Sequence, residues 1–101
     1  MSMREVRRVV IIADILLKQT ILETILELGA KGYNVTTCFG KGRHEVLGDV
    51  LTGSALVRIE TVASESVIKA IMDFVHQPHY RGHALSAFVD TVEVDSRDTN
   101  V

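Results

Sequence analysis

The chain has 101 residues, 47% of them hydrophobic and 24% charged, with only eight Gly and Pro residues together. That fits one domain around one modest core and excludes disordered, collagenous and low-complexity sequence. Eleven Lys and Arg against thirteen Asp and Glu leave a formal charge of -2, so neither nucleic acid nor an anionic membrane is expected as the main partner. A single Cys excludes an internal disulfide or a cysteine zinc cluster and fits a reducing compartment. The apolar run 9–13 is cut by Asp14, too short for a bilayer span. Arg4, Arg7 and Arg8 before it imitate a signal peptide, but the run lacks a small-residue cleavage site. A cytoplasmic protein without direct membrane insertion is expected.

Residues 6–13 form a β-branched run too short for a helix, which predicts a strand. Asp14 is suited to cap a helix over 15–28, with Leu17, Ile21, Ile25 and Leu28 on one stripe and Glu23 and Glu27 on the other. Gly29 ends that helix and Gly32 continues the turn. Over 33–39, apolar Tyr33, Val35 and Phe39 alternate with Asn34, Thr36 and Cys38, the pattern of a half-buried strand. Residues 40–53 carry Gly40, Gly42, Gly48 and Gly53 with no sustained period, which predicts a long loop. A third strand over 55–62 follows. Ser64 then caps a helix whose Val67, Ile68, Ile71, Met72 and Val75 face inward, and Pro78 lies beyond its end. Residues 76–83 read as a polar loop, 85–94 as the last strand, and 95–101 as a polar tail expected to fray.

The order βαββαβ predicts an α+β, ferredoxin-like sandwich with both helices on one face of the sheet. Residues 9–13 are apolar at every position, so both faces of that strand should be covered, and the helices cover one. On the third strand Val57 and Ile59 share one face, and Arg58 and Glu60 share the other with Leu56 and Val62. Charges in the middle of a central strand need partners. A homo-oligomer closed on the open sheet face is therefore expected.

Gly40-Lys41-Gly42-Arg43 stands where a strand passes into the long loop. Glycines let backbone amides close on an anion, and Lys and Arg add charge-assisted donors. The pattern is neither a Walker loop nor a GxGxxG turn, and on these residues alone a solvated, flexible loop is the commoner explanation. Tyr80-Arg81-Gly82 adds to an anion site only if folding brings the two loops together. His76, His79 and His83 have metal-ligand spacing, but no nearby Cys, Asp or Glu completes a set and Pro78 breaks their helix, so no metal is expected. His44 reads as a loop side chain and Cys38 as a packed or interface thiol. No Ser-His-Asp arrangement, nucleophile elbow or metal-bound carboxylate pair is present in the sequence, and Glu23 and Glu27 lie on a solvated helix face. No catalytic residue is expected.

Ile15-Leu16-Leu17-Lys18, Gly29-Ala30-Lys31-Gly32-Tyr33 and Gly40-Lys41-Gly42 together give the chain, from about residue 9 to 94, a pattern that resembles the PII-like signalling proteins. The nearest branch is the SbtB type with its carboxysome-associated relatives. The resemblance implies a homotrimer with nucleotide sites between subunits, each walled by the base of the T-loop (about 40–54) of one subunit and the B-loop (about 77–84) of its neighbour. It implies that Gly40, Lys41 and Gly42 belong to the T-loop base, with Arg43 following. It likewise implies that Tyr80 and Gly82 are the Tyr-x-Gly of the B-loop, and that Arg58 and Glu60 are a basic-x-acidic step on the third strand. Proteins of this kind bind ATP, ADP, AMP or cyclic AMP and report energy or carbon status to a membrane transporter. The SbtB branch is linked to bicarbonate uptake and the carboxysome-associated branch to bicarbonate sensing.

The departures narrow these expectations. The loop has fewer arginines than the SbtB type, which favours ADP or AMP over ATP, and Arg81 is an extra cation that could hold phosphate or bicarbonate. A C-terminal cysteine-bearing loop is missing, so redox gating is not expected. Residues 43–54 contain no Tyr, which demotes uridylylation and glutamine sensing. Two other readings stay open at this point: a metal- or amino-acid-sensing ferredoxin-like module without nucleotide, and a slow nucleotide hydrolase.

Overall fold

A computed structural model describes residues 1–40, 55–80 and 83–99. In chain order these form β1 (Met3–Asp14), a 3-10 turn (Ile15–Leu17), α1 (Lys18–Glu27), β2 (Asn34–Cys38), β3 (Leu56–Ala63), α2 (Glu65–Val75), a second 3-10 turn (Pro78–Tyr80) and β4 (Leu85–Asp95). The strands make one antiparallel sheet in the order β2-β3-β1-β4. This is the expected ferredoxin-like α+β sandwich. Val9, Ile11, Ala13, Val57 and Ile59 project from one sheet face into a core completed by Ile21, Leu22, Ile25, Ile71 and Val75 of the helices. Each of the Val, Leu and Ile side chains contributes roughly 1.5–3 kcal/mol by leaving water.

The elements depart from expectation where tertiary pairing overrides local pattern. β1 begins at Met3 because β4 pairs with it as far as Met3 opposite Asp95, whereas β3 pairs only from Arg7 onward. The tail beyond β4 is tied back rather than frayed over residues 96–98. The amide of Ser96 donates to the Ser2 carbonyl (2.9 Å), Arg4 donates to the Asp98 carbonyl (3.0 Å), and Arg97 grips both oxygens of Asp95. Asp14 does act as a cap, accepting from the amide of Leu16 at 2.9 Å, but it caps the tight turn that precedes α1. Leu16 is thereby left 86% exposed. β2 lies at the sheet edge, and Val35 on it and Tyr33 and Phe39 flanking it are exposed rather than half-buried.

On the open face of β1, Val10 is buried within the chain while Val6, Arg8 and Ile12 stay partly exposed. Val10 is fully buried there because it pairs with Glu60 on one side and Phe88 on the other, both carrying long side chains over it. Arg58 lies over the Phe88 ring, 5.9 Å from its centre, and donates to Glu60 at 2.7 Å. The charges expected to need partners therefore find them in the same chain, and their stems roof the apolar strand.

Gly29 stops α1 with φ of +117°, and a Cβ there would stand 2.9 Å from Cγ2 of Val67 on α2. Backbone strain and overpacking add, so Gly29→Ala is expected to cost roughly 2–4 kcal/mol. Thermal melting at fixed protein concentration measures this, at about 4–8 °C per kcal/mol for a domain of this size. Gly32 is the internal control. Its φ is not left-handed and a Cβ would meet nothing within 4 Å, so Gly32→Ala should stay within about 0.5 kcal/mol.

Candidate functional site

Two unlike surfaces lie at opposite ends of the sheet. At the first, the last residue of β1 and the residue after it tie two loop roots together. The Asp14 amide donates to the Ala84 carbonyl (2.8 Å) and the Ile15 amide to the Ala55 carbonyl (2.9 Å). Ala84 leads into β4 and Ala55 into β3, so the residues just ahead of these two strands lie side by side in one chain. Gly40 adjoins them, since a Cβ there would stand 3.5 Å from the buried Leu56. Neither a left-handed φ nor a close contact requires glycine at position 40. Lys41, Gly42, Arg43, Arg81 and Gly82 lie outside the described residues.

Tyr80 anchors the root of the 77–84 loop. Its ring is buried, packed edge-on against Phe74 (centroids 5.4 Å apart) and against His79 (4.1 Å), with His83 at 6.3 Å. Successive turns run through it: its amide donates to the Gln77 carbonyl, and the His83 amide donates to the Tyr80 carbonyl. His76 instead donates from Nδ1 to the Met72 carbonyl at 2.7 Å. Among the described residues no three metal-ligating side chains converge.

Arg58 and Glu60 lie two and four residues along β3 from Leu56, so Glu60 is about 13 Å from the loop roots. They belong to a charge network on the open face. Arg8 holds both oxygens of Asp90 (3.0 and 2.7 Å) and approaches Glu60 at 3.8 Å, while Arg58 takes the other Glu60 oxygen. The hydrogen bonds from Arg8 hold the Asp90 carboxyl below its usual pKa, and those to Asp90 raise Arg8 above its own.

At the far end, a groove of about 1120 Å³ opens between the start of β2, the end of β3, the first turn of α2 and the N-terminal half of β1. Gly32, Tyr33, Glu60, Val62 and Ser64 line it, as do Arg4, Arg7, Arg8 and Lys31. Arg7 approaches Glu65 at 2.7 Å through Nε, but that buried N–H is not aligned for a hydrogen bond; its Nη1 donates to Thr91 at 3.0 Å. Of the residues expected in a nucleotide site, the structure thus sets Gly40 and Tyr80 at the loop end and Glu60 at the groove end. Lys31, Tyr33 and Ser64 also line the groove, and the sequence reading did not single them out as site residues. Gly29-Ala30-Lys31-Gly32-Tyr33 carried the signal as a motif, but only the sheet order turns it into a wall facing Glu60 and Val62.

Comparison with known proteins agrees with the fold. The profile of the family described as nitrogen regulatory protein P-II matches residues 6–98. A crystal structure from Thermus thermophilus, described as a PII-like signalling protein, is 31% identical over 93% of this chain and 92% of that one, with a TM-score of 0.72. CPII from Thiomonas intermedia, bound to ADP, AMP and acetate, is 23% identical over 94% and 93% of the two chains, with a TM-score of 0.79. The same protein bound to ADP, AMP and bicarbonate is 22% identical over 93% and 97%, with a TM-score of 0.76. At the identities of the CPII structures it is the fold that is shared. No curated protein sequence matches the chain.

Proposed function

The chain belongs to the PII family, and on that premise we propose that it is a ligand-gated signalling protein that binds ADP or AMP, in preference to ATP, together with bicarbonate. The sites are clefts between the subunits of a homotrimer. The 40–54 loop reports inorganic-carbon status from them to a membrane transporter. One observation carries this reading: a single chain presents converging loop roots at one end of its sheet and an open groove at the other. A cyclic assembly sets unlike surfaces against each other, so the loop end of one subunit meets the groove of the next. CPII, which shares the fold, is described as binding ADP, AMP and bicarbonate.

In this cleft the amides of Gly40, Gly42 and Gly82 and the side chains of Lys41, Arg43 and Arg81 take the phosphates and bicarbonate. Tyr80 holds their scaffold. Gly32, Tyr33, Glu60 and Val62 of the next subunit receive the nucleoside, and Arg58 keeps the Glu60 carboxylate in place. We assign both loops of a cleft to one chain, on the strength of the amides of Asp14 and Ile15 that hold Ala84 and Ala55 side by side, in place of the split between neighbours that the resemblance implies.

Bicarbonate fits beside a di- or monophosphate in the space a γ-phosphate would fill. It should therefore tighten ADP binding, and ADP should tighten bicarbonate binding by the same factor. Calorimetric titration of ADP with and without bicarbonate, at fixed pH and ionic strength, measures both. Equal ADP affinities in the two series would remove the carbon-sensing role and leave a nucleotide sensor. Light scattering at a monomer mass would remove the shared cleft.

A further inference from the structure

We propose that Lys31 gives the groove an anion subsite of its own, so that the cleft favours a nucleotide carrying a second phosphate on its ribose over one charged at the 5′ end alone. The inference rests on the reading of the cleft as a nucleotide site and names what that site selects. Four cations line the groove. Arg4 donates to the Asp98 carbonyl, Arg7 lies against Glu65 and Thr91, and Arg8 is held by Asp90 and Glu60. Lys31 alone of the four has no hydrogen bond or ion pair among the described residues.

Its backbone is fixed on both sides. Before it, Gly29 packs against Val67, and buried Ala30 donates its amide to the Ile25 carbonyl at 2.9 Å. After it, the Gly32 carbonyl accepts from the hydroxyl of buried Thr61 at 2.5 Å. An ammonium presented from such a pinned backbone loses less freedom on binding than one on a loose loop. The groove's carboxylates do not occupy it. Glu60 and Glu65 lie against arginines, and Glu5 sits on β1 four residues before Val9, about 13 Å along the strand from the level of Thr61. With its 5′-phosphate at the loop end, a nucleotide brings its ribose toward the groove, where a 2′- or 3′-phosphate meets an unpaired cation.

The test compares AMP with adenosine 2′,5′-bisphosphate and adenosine 3′,5′-bisphosphate by calorimetry, in the wild-type protein and in Lys31→Ala and Lys31→Arg. A charge-assisted contact at a partly open site is worth roughly three- to tenfold in affinity. At least one bisphosphate should therefore bind that much tighter than AMP. The ratio should fall toward one in Lys31→Ala, persist in Lys31→Arg, and shrink as salt is raised. If AMP binds and neither bisphosphate binds tighter, or if Lys31→Ala keeps the ratio, the subsite is overturned while the nucleotide cleft stands. If none of the three ligands binds, the cleft reading itself falls and the subsite falls with it.

Discussion

Mixing two variants, neither of which binds ADP alone, should restore binding in about one cleft in four. The first variant, Lys41→Ala with Arg81→Ala, removes the cations of the loop end. The second, Gly32→Trp, fills the groove. Tryptophan is tolerable there because a Cβ at position 32 meets nothing within 4 Å, the backbone φ is not left-handed, and the carbonyl that Thr61 holds is retained. In the proposed assembly each cleft takes its loops from one subunit and its groove from the next. In randomly mixed trimers a cleft is intact when its loops come from the groove variant and its groove from the loop variant, each with a chance of one half. Co-expression at equal levels followed by ADP titration reads this out, with light scattering confirming that all three preparations have the same mass. Binding that stays at zero in the mixture would mean that each site is built within a single chain, and would sink the shared cleft. The effect is all-or-none in the parents, which makes it the sharpest test of how the two ends of the sheet are used.

The fold and the two ends of its sheet were only half legible in the sequence. The apolar run 9–13, the cap at Ser64 and the glycine stop at Gly29 each act locally, and the structure bears them out: Ser64 caps α2 by accepting from Val67, and Gly29 takes the left-handed φ. Local pattern failed where a distant partner decides. β1 is longer than its β-branched core because β4 continues beside it, and β2 is exposed despite its alternation because three strands lie on only one side of it. The demand for partners at Arg58 and Glu60 was readable, yet it pointed to another subunit, whereas Arg8 and Asp90 from strands distant in sequence supply part of the answer within the chain. The two glycine-bearing segments could be picked out, but the meeting of Ala55 and Ala84 beside them depends on consecutive amides of residues 14 and 15. No spacing along the sequence encodes that bond pair. The groove was hidden for the same reason, since its walls come from segments that adjoin only once the sheet order is set.

Charge and scaffold at the loop end should separate cleanly under mutation. Lys41→Ala and Arg81→Ala each remove a charge-assisted contact worth roughly 1.5–3 kcal/mol when desolvated, so each should weaken ADP binding by about ten- to a hundredfold. Neither should lower the melting temperature of the ligand-free protein. Tyr80→Ala acts differently. It deletes a buried ring that packs edge-on against Phe74 and lies tilted against His79, at a cost of roughly 3–5 kcal/mol, a large share of a small domain's stability. Melting temperature and ADP affinity should then fall together, because the 3-10 turn Pro78–Tyr80 loses its anchor. Tyr80→Phe distinguishes an anchor from a ligand contact. The Tyr80 hydroxyl makes no hydrogen bond among the described residues, so removing it leaves the aromatic packing intact. If Tyr80 serves as scaffold, Tyr80→Phe keeps both stability and ADP affinity. A tenfold loss of affinity at unchanged melting temperature would instead mean that the hydroxyl reaches the nucleotide, and that the loop end closes on its ligand through Tyr80 as well as through the two cations.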